Sequence, residues 1–289
     1  MTNRPEITDE LTQQISGLIK SNPSWNRTRL SKALCEIWGW KSPNGQIKDI
    51  SCRDMLRKLD RDEKIRLPQK TRLSRSVGQK MNIKRLTHDT TPIEGGLKDL
   101  QPLKIEVVTA DGSWDEFRSL LDQYHYLGFD RTVGENMKYI IRNRDGVAIS
   151  CLLFGSAAWA CKDRDLYIGW DAAARIKGLS YITNNTRFLI LPWVKVPHLA
   201  SHILGMIARR ISNDWKERYG HELYCLETFV ERGRFLGTCY KAANWSHVGC
   251  TMGRGRNSVS GRAAFPYKEV YLYPLTASFR RRLHDRKEE

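Results

Sequence analysis

The chain has no apolar run of 18 residues, so its sequence offers no segment that would span a bilayer as a helix. Its first residues are polar and include Asp9 and Glu10, which is not the pattern of a secretory leader. There is no Cys-x-x-Cys pair. Seven cysteines are scattered, an odd number, which argues against a disulfide framework and a zinc knuckle and for reduced thiols in the cytoplasm. A Walker or dinucleotide glycine loop is missing, and so is a Gly-x-Ser-x-Gly elbow. His198 and His202 are four apart but lack the carboxylate of a His-Glu-x-x-His motif, so no metal site is expected. No internal repeat or low-complexity tract is present.

Acidic residues are also scarce. Among 289 residues, 48 are Lys or Arg and 32 are Asp or Glu, for a net charge of +16 and a pI near 9.6. Such an excess attracts polyanions; the alternative is a solvated basic surface. Residues 1–100 hold 20 basic and 12 acidic side chains and the remainder 28 and 20, so both halves carry the same excess. Duplex DNA is the expected partner, and no membrane is. Forty per cent hydrophobic content is enough for a core.

Residues 7–68 read as three helices followed by a short basic hairpin. Leu11, Ile15, Leu18 and Ile19 share one helical face. Residues 21–24, Ser-Asn-Pro-Ser, break it. Asn26 is a plausible N-cap for a second helix, which holds Leu30, Ala33, Leu34, Ile37 and Trp38. A third helix over residues 51–63 has Cys52, Met55, Leu56 and Leu59 inside and Arg53, Arg57, Lys58 and Arg61 outside. Residues 64–71, with Lys64 and Arg66, then supply a small β-wing. The pattern predicts a winged helix-turn-helix over residues 1–69, with the third helix reading DNA; a three-helix protein-docking module is the other reading. Residues 64–85 hold eight basic side chains and no acid. The basic stretch 70–101 is expected to be a linker that follows phosphates.

Residues 102–289 read as an α/β layer around a mixed sheet. Strands are expected at 103–110, 137–143, 148–157, 186–192, 223–230, 246–252 and 269–275. The dipeptide Asp145-Gly146 marks a hairpin. Helices are expected at 113–126, 165–179, 197–219 with Pro197 in the first turn, and 232–243. Tyr124-His125-Tyr126 closes the first of these. His125 suits proton transfer near neutral pH, and its flanking tyrosines could orient it or stack on an extruded base; a capping histidine beside core aromatics is the alternative. Asn184-Asn185-Thr186-Arg187 is a polar entry to an apolar strand, which is expensive unless those side chains face a cleft. Glu231 ends a strand, where it serves either chemistry or the N-terminus of the next helix. Tyr240 and Asn244 are polar on a face otherwise made of Phe235, Leu236 and Ala243. Asp171 reads as a helix N-cap; a nuclease centre would need Asp111, Asp171 and Glu227 or Glu231 to converge. Arg254 and Arg256, followed by Arg262 and Lys268, form a basic loop suited to phosphates.

Residues 227–249, ETFVERGRFLGTCYKAANWSHVG, carry a resemblance. Their order of strand, helix with Tyr240, Asn-aromatic step and strand resembles the last third of the GNAT acyltransferase fold, in which such a tyrosine walls the acyl-donor cleft. The string GTCYKAANW is similar to Mom-type DNA-modification proteins, a divergent GNAT branch. Residues 23–256 resemble the DruA family of the Druantia anti-phage defence system. The resemblance implies a GNAT-like domain, a role in antiviral defence and other defence-system proteins as partners. It also implies a site formed by His125, Tyr126, Glu231 and Tyr240, with Arg187 and Asn244 at its cofactor edge. One departure stands out. The family follows its central strand with a glycine turn whose amides hold the coenzyme pyrophosphate. Here residues 193–201 are Trp-Val-Lys-Val-Pro-His-Leu-Ala-Ser, which argues against ordinary acetyl-CoA and leaves the cofactor unknown. A DNA-modifying or DNA-sensing enzyme with a divergent GNAT-like centre (a nucleic-acid-modifying transferase), a non-catalytic DNA-binding subunit with a decayed cleft, and a metal-dependent nuclease or transposase-like protein all remain open at this point.

Overall fold

A computed structural model describes residues 5–41, 47–69, 83–110, 112–251, 253 and 266–284. The chain divides into two compact units, Met1–Gln79 and Lys80–Glu289. None of the described helices is long and apolar enough to cross a membrane.

The first unit holds three helices: α1 (Asp9–Ser21), α2 (Arg27–Ile37) and α3 (Asp49–Arg61). Thr8 caps α1 by accepting from the Leu11 amide, and Asn26 caps α2 by accepting from Thr28 and Arg29. These side chains satisfy amides that have no partner inside the helix. Ile15, Leu30, Leu34, Cys52, Met55, Leu56 and Leu59 form the core, with Trp40 and Ile65. Each such side chain, fully buried, contributes roughly 1.5–3 kcal/mol.

The expected wing is not formed over residues 64–69. That segment is irregular and returns to the helices. Ile65 is buried, the Leu67 amide donates to the Asp60 carboxylate at 2.9 Å, and Arg27 Nε donates to the Pro68 carbonyl at 2.7 Å. Backbone groups that a hairpin would have paired are thus taken by side chains of α2 and α3. Residues 70 and 71 lie outside the described set. Over the described residues the unit shows the three expected helices, and a wing is not confirmed.

The second unit begins earlier than expected. Residues 83–101 are not linker: Ile83 and Leu100 are buried in the sheet unit's core. Strand β1 (Ile93–Glu94) and helix α4 (Leu97–Leu100) lie within this stretch. There follow β2 (Lys104–Val107), α5 (Ser113–Tyr124), β3 (Asn136–Arg142), β4 (Ala148–Ser156), α6 (Lys162–Ile168), α7 (Ala172–Gly178) and β5 (Ile182–Ile190). The chain continues through β6 (Val194–Lys195), α8 (Leu199–Ala208), α9 (Ile211–Tyr219), β7 (Cys225–Glu231), α10 (Thr238–Ala242), β8 (Ser246–Cys250), β9 (Lys268–Pro274) and α11 (Phe279–His284).

Seven strands form one sheet in the order β2-β3-β4-β5-β7-β9-β8. Every neighbouring pair is antiparallel except β5 and β7, which are parallel. That parallel pair is joined only over Ile182–Asn184 and Cys225–Glu227. Beyond those positions the two strands part, leaving a splay between them. Strand β5 also carries one extra residue against β4: Leu153 faces Arg187 and Phe154 faces Asn185, leaving Thr186 as a bulge. Strand β6 pairs in parallel with β1, apart from the main sheet.

Three expected helices change. The stretch 165–179 is two helices, broken where Gly169 takes a left-handed φ of 92° and Asp171 caps α7. The stretch 197–219 is α8 and α9, broken at Arg209–Arg210, and Pro197 precedes the helix rather than opening it. The helix expected over 232–243 shrinks to α10, because Gly233 (φ 85°) and Gly237 (φ 66°) are both left-handed.

Candidate functional site

The parting of β5 and β7 opens a cavity of about 400 Å³. Strands β5 and β7 supply Asn185, Phe188, Thr228 and Val230 to its lining. The end of α5 supplies Tyr124, His125 and Tyr126. The turn into α10 supplies Phe235 and Leu236, and α10 itself Cys239 and Tyr240. Most of this lining is apolar.

The polar part is a closed hydrogen-bond set. The Tyr240 hydroxyl donates to Asn185 Oδ1 at 2.7 Å. Thr228 Oγ1 donates to the Asn185 carbonyl at 3.0 Å. The Asn185 amide nitrogen donates to the Leu153 and Arg187 carbonyls. Asn185, Thr186 and Arg187 at this strand entry find backbone partners across the splay or the bulge, whereas Asn184 Oδ1 is buried without one among the described residues. Burial pushes the Tyr240 phenol well above its ordinary value. Its ring packs on Trp245 at 5.1 Å and on Tyr271 at 6.0 Å.

His125 sits just past α5, with its backbone N–H still bonded to Leu121. Its Nδ1 accepts from the Leu127 amide at 3.2 Å, so the neutral ring carries its proton on Nε2. Burial, and then the nearby Arg187 guanidinium, lower its pKa to about 4. At neutral pH it is an uncharged donor. Tyr126 lies against it at 4.8 Å and 33°, and burial followed by the Glu231 carboxylate raises the Tyr126 phenol. Arg187 is held from below, donating to the Gly128 and Thr186 carbonyls at 3.0 and 2.8 Å. It neighbours His125 and Tyr126 but is not part of the cavity lining.

Two further expected site residues lie outside the lining. Glu231 pairs with Arg234 at 3.1 Å. Asn244 is exposed and left-handed (φ 62°) in the turn after α10, a conformation that asparagine tolerates well at a helix end. Its polarity in the sequence marks this turn. Conversely, Asn185, Thr228, Phe235, Leu236 and Cys239 were not singled out as site residues. The run Asn184-Asn185-Thr186-Arg187 was the available signal for the first of them.

The acids considered for a metal centre are engaged elsewhere. Glu227 is fully buried and takes the equally buried Arg164 at 2.9 Å and the Ala158 amide at 2.6 Å. Asp171 caps α7. Asp111 lies outside the described residues, among which no cluster of three His, Cys, Asp or Glu could hold a metal.

The turn after β5 differs from a pyrophosphate cradle. Val194 and Lys195 are paired with β1. Trp193 stacks on His88 at 5.1 Å and meets Tyr124 edge-on at 5.1 Å, while His88 Nε2 and the Tyr124 hydroxyl are 2.8 Å apart.

In the helical unit, two of the expected DNA-contacting side chains are paired within α3. Arg53 meets Asp49 at 3.0 Å and Arg57 meets Asp54 at 3.0 Å. Lys58, Arg61, Lys64 and Arg66 are exposed and have no ion pair among the described residues. Arg254 and Arg256 lie outside that set.

A family model described as Druantia protein DruA matches residues 58–274. No curated protein is significantly similar to the chain. Solved structures similar to part of it include the spermidine N-acetyltransferase of Vibrio cholerae in complex with CoA and spermine, at 8% identity and a TM-score of 0.39, over 60% of this chain and 95% of that one. Another is the ribosomal-protein-S18-alanine N-acetyltransferase of Escherichia coli, at 6% identity and a TM-score of 0.35, over 60% and 94%. Likeness of this degree says nothing about ligand or chemistry.

Proposed function

The chain belongs to the DruA family of Druantia anti-phage defence, and from that premise we propose that it is a DNA-binding subunit whose splayed cleft binds a group without transferring one. The first half of the reading rests on charge. A net +16, four exposed cations around the end of α3 without an ion pair among the described residues, and a run of eight basic residues at 64–85 are a phosphate-binding footprint.

The second half rests on one observation: the His125 lone pair and the Tyr240 proton are already engaged, which leaves His125 only its Nε2–H to offer as a hydrogen-bond donor. Acid–base catalysis needs a lone pair or proton within reach of the reacting atom. The His125 Nδ1 lone pair is taken by a backbone amide, and the Tyr240 proton is taken by Asn185. Glu231 is not part of the cavity lining. The donor end argues the same way. Pro197 has no amide, and the preceding turn is committed to β1 and to the Trp193 stack, so a coenzyme pyrophosphate has little to grip.

Two measurements on the purified chain test this. Fluorescence anisotropy should report duplex binding that weakens with salt, by roughly 0.9 in log K per log salt for each phosphate contact. Salt-independent or absent binding would remove the DNA reading. Mass spectrometry of nucleosides should find no new base after incubation with DNA and acyl-CoA donors. A modified nucleoside would instead make the cleft a transferase centre.

A further inference from the structure

Large apolar side chains rarely stand in water side by side without a partner. Phe235 is 48% exposed and Leu236 80%, and both border the cavity. Tyr126, 39% exposed, lies 5.2 Å from the Phe235 ring. We propose that Phe235 and Leu236 are a wedge that enters a DNA base stack, so that one unstacked base lodges in the cavity between His125 and Tyr240. This rests on the DNA-binding reading given above.

The segment is built to hold its shape. The Arg234 and Phe235 amides both donate to the Glu231 carbonyl, at 3.3 and 3.1 Å. Gly233 and Gly237 bracket the pair in left-handed conformations, and a Cβ on Gly237 would lie 2.7 Å from the Tyr271 hydroxyl. A wedge that is already ordered loses little entropy on insertion. Side chains of this kind pry base steps apart in proteins that kink DNA.

The surroundings fit a nucleic acid better than a protein partner. Arg234 lies over the Tyr126 ring at 4.8 Å, and Tyr126 leads to His125, so a cation and two flat rings run from the rim inward. Such a row stacks bases without regard to sequence. Arg232 and Arg234 flank the wedge and are largely exposed, paired with Glu269 and Glu231 at 2.9 and 3.1 Å. The carboxylates are mostly buried, at 18% and 16% exposed, while the guanidinium groups stay open to water and keep donors free for a phosphate. Behind the rim, about 400 Å³ of mainly apolar space ends on Asn185 and Thr228, in the size range of roughly 300–1,000 Å³ typical of small-molecule sites.

The test uses the full chain and a short duplex carrying 2-aminopurine opposite a mismatched base, where extrusion is easiest. Saturating protein should raise the 2-aminopurine emission several-fold. The Phe235→Ala/Leu236→Ala variant should abolish that rise while losing less than tenfold in anisotropy-measured affinity. Leu236→Ala alone, at a mostly exposed position, should lose at least half of the rise and serves if the double variant does not fold. Wild-type binding without any rise, or a full rise in both variants, overturns the wedge and leaves DNA binding intact. Failure of the wild type to bind the duplex removes both proposals. Variants that bind DNA normally but lose association with another protein would mark the pair as a protein-docking surface instead.

Discussion

Cations in the helical unit and in the sheet unit are used in different ways, although residues 1–79 and 80–289 carry similar net charges of +7 and +9. Around the end of α3, Lys58, Arg61, Lys64 and Arg66 stand in water without an ion pair among the described residues. In the sheet unit, arginines hold the fold together. Arg164 is 0% exposed and sits between Glu227 at 2.9 Å and Asp165 at 2.8 Å. Arg142 ties Glu106 of β2 to Glu116 of α5, at 2.7 and 2.6 Å. Composition therefore overstates how much of the second unit's charge faces solvent. A cation aimed at phosphate and a cation folded into a core look alike when only counted.

The sharpest way to break this contrast is to remove a buried partner. Arg164→Ala strands the Glu227 carboxylate away from water and should lower stability by about 3–5 kcal/mol. Replacing the pair together, Arg164→Met with Glu227→Leu, should recover most of that loss, because no unpaired charge is left. Urea unfolding of the purified variants measures both. If Arg164→Ala unfolds within about 1 kcal/mol of wild type, the buried arginine is not the structural element argued here.

A smaller effect is expected at the cleft. Tyr240→Phe leaves Asn185 Oδ1 without its 2.7 Å donor in a buried place, which should cost about 1–3 kcal/mol. The same denaturation series reads it. A neutral result would mean that water or a rearranged Asn185 takes over the bond.

Much of this was legible before the structure and some was not, for identifiable reasons. The β3–β4 hairpin follows from Asp145-Gly146, whose glycine is left-handed as such turns require. The core faces of α1 and α3 follow from apolar spacing; in α2 Leu30 and Leu34 do, but Ile37, expected inside, is 54% exposed and Cys35 is buried instead. The reading failed where tertiary bonds replaced local signals. Thr183, Asn184 and Asn185 look like loop residues, yet they belong to β5; Thr183 bonds to the Gly155 carbonyl and Asn185 is held by the bonds described above. Phe235 and Leu236 imitate a helix face, but two left-handed glycines keep them out of one. The Arg164–Glu227 pair joins residues 63 positions apart, and no local pattern announces it. His125 and Tyr240 were found through a resemblance; spacing alone would not have joined them.

Acid should expose a further difference between the units. The His125 pKa of about 4, against an ordinary value near 6.5, arises from burial first and from Arg187 second. Between those values the unfolded chain takes up a proton that the folded chain refuses. The folded state is therefore fully favoured above about pH 6.5 and loses about 1–3 kcal/mol as pH falls toward 4. Melting temperature measured against pH should fall less steeply in His125→Gln than in wild type. In an NMR titration, Arg187→Met should move the His125 pKa part of the way up. An unchanged pKa would leave burial as the only cause.

The smallest effect on stability, and the one that decides what the helical unit does, comes from its exposed cations. Lys58, Arg61, Lys64 and Arg66 are solvated, and none has an ion pair among the described residues. Changing all four to Ala should alter unfolding free energy by no more than about 0.5 kcal/mol per site, as solvated side chains do. Duplex affinity should nonetheless fall, and the slope of log K against log salt should become shallower by roughly 0.9 for each phosphate contact removed. Arg53 and Arg57 provide the internal control. Each already has a carboxylate at 3.0 Å on its own helix, so Arg53→Ala with Arg57→Ala should change the slope less than the four exposed substitutions do. If the two paired arginines carry the salt dependence instead, Asp49 and Asp54 release them on binding, and α3 presents its arginines to DNA as a reading helix would. If neither set changes the slope, phosphate contact lies elsewhere in the chain, and the three helices are a module for docking protein.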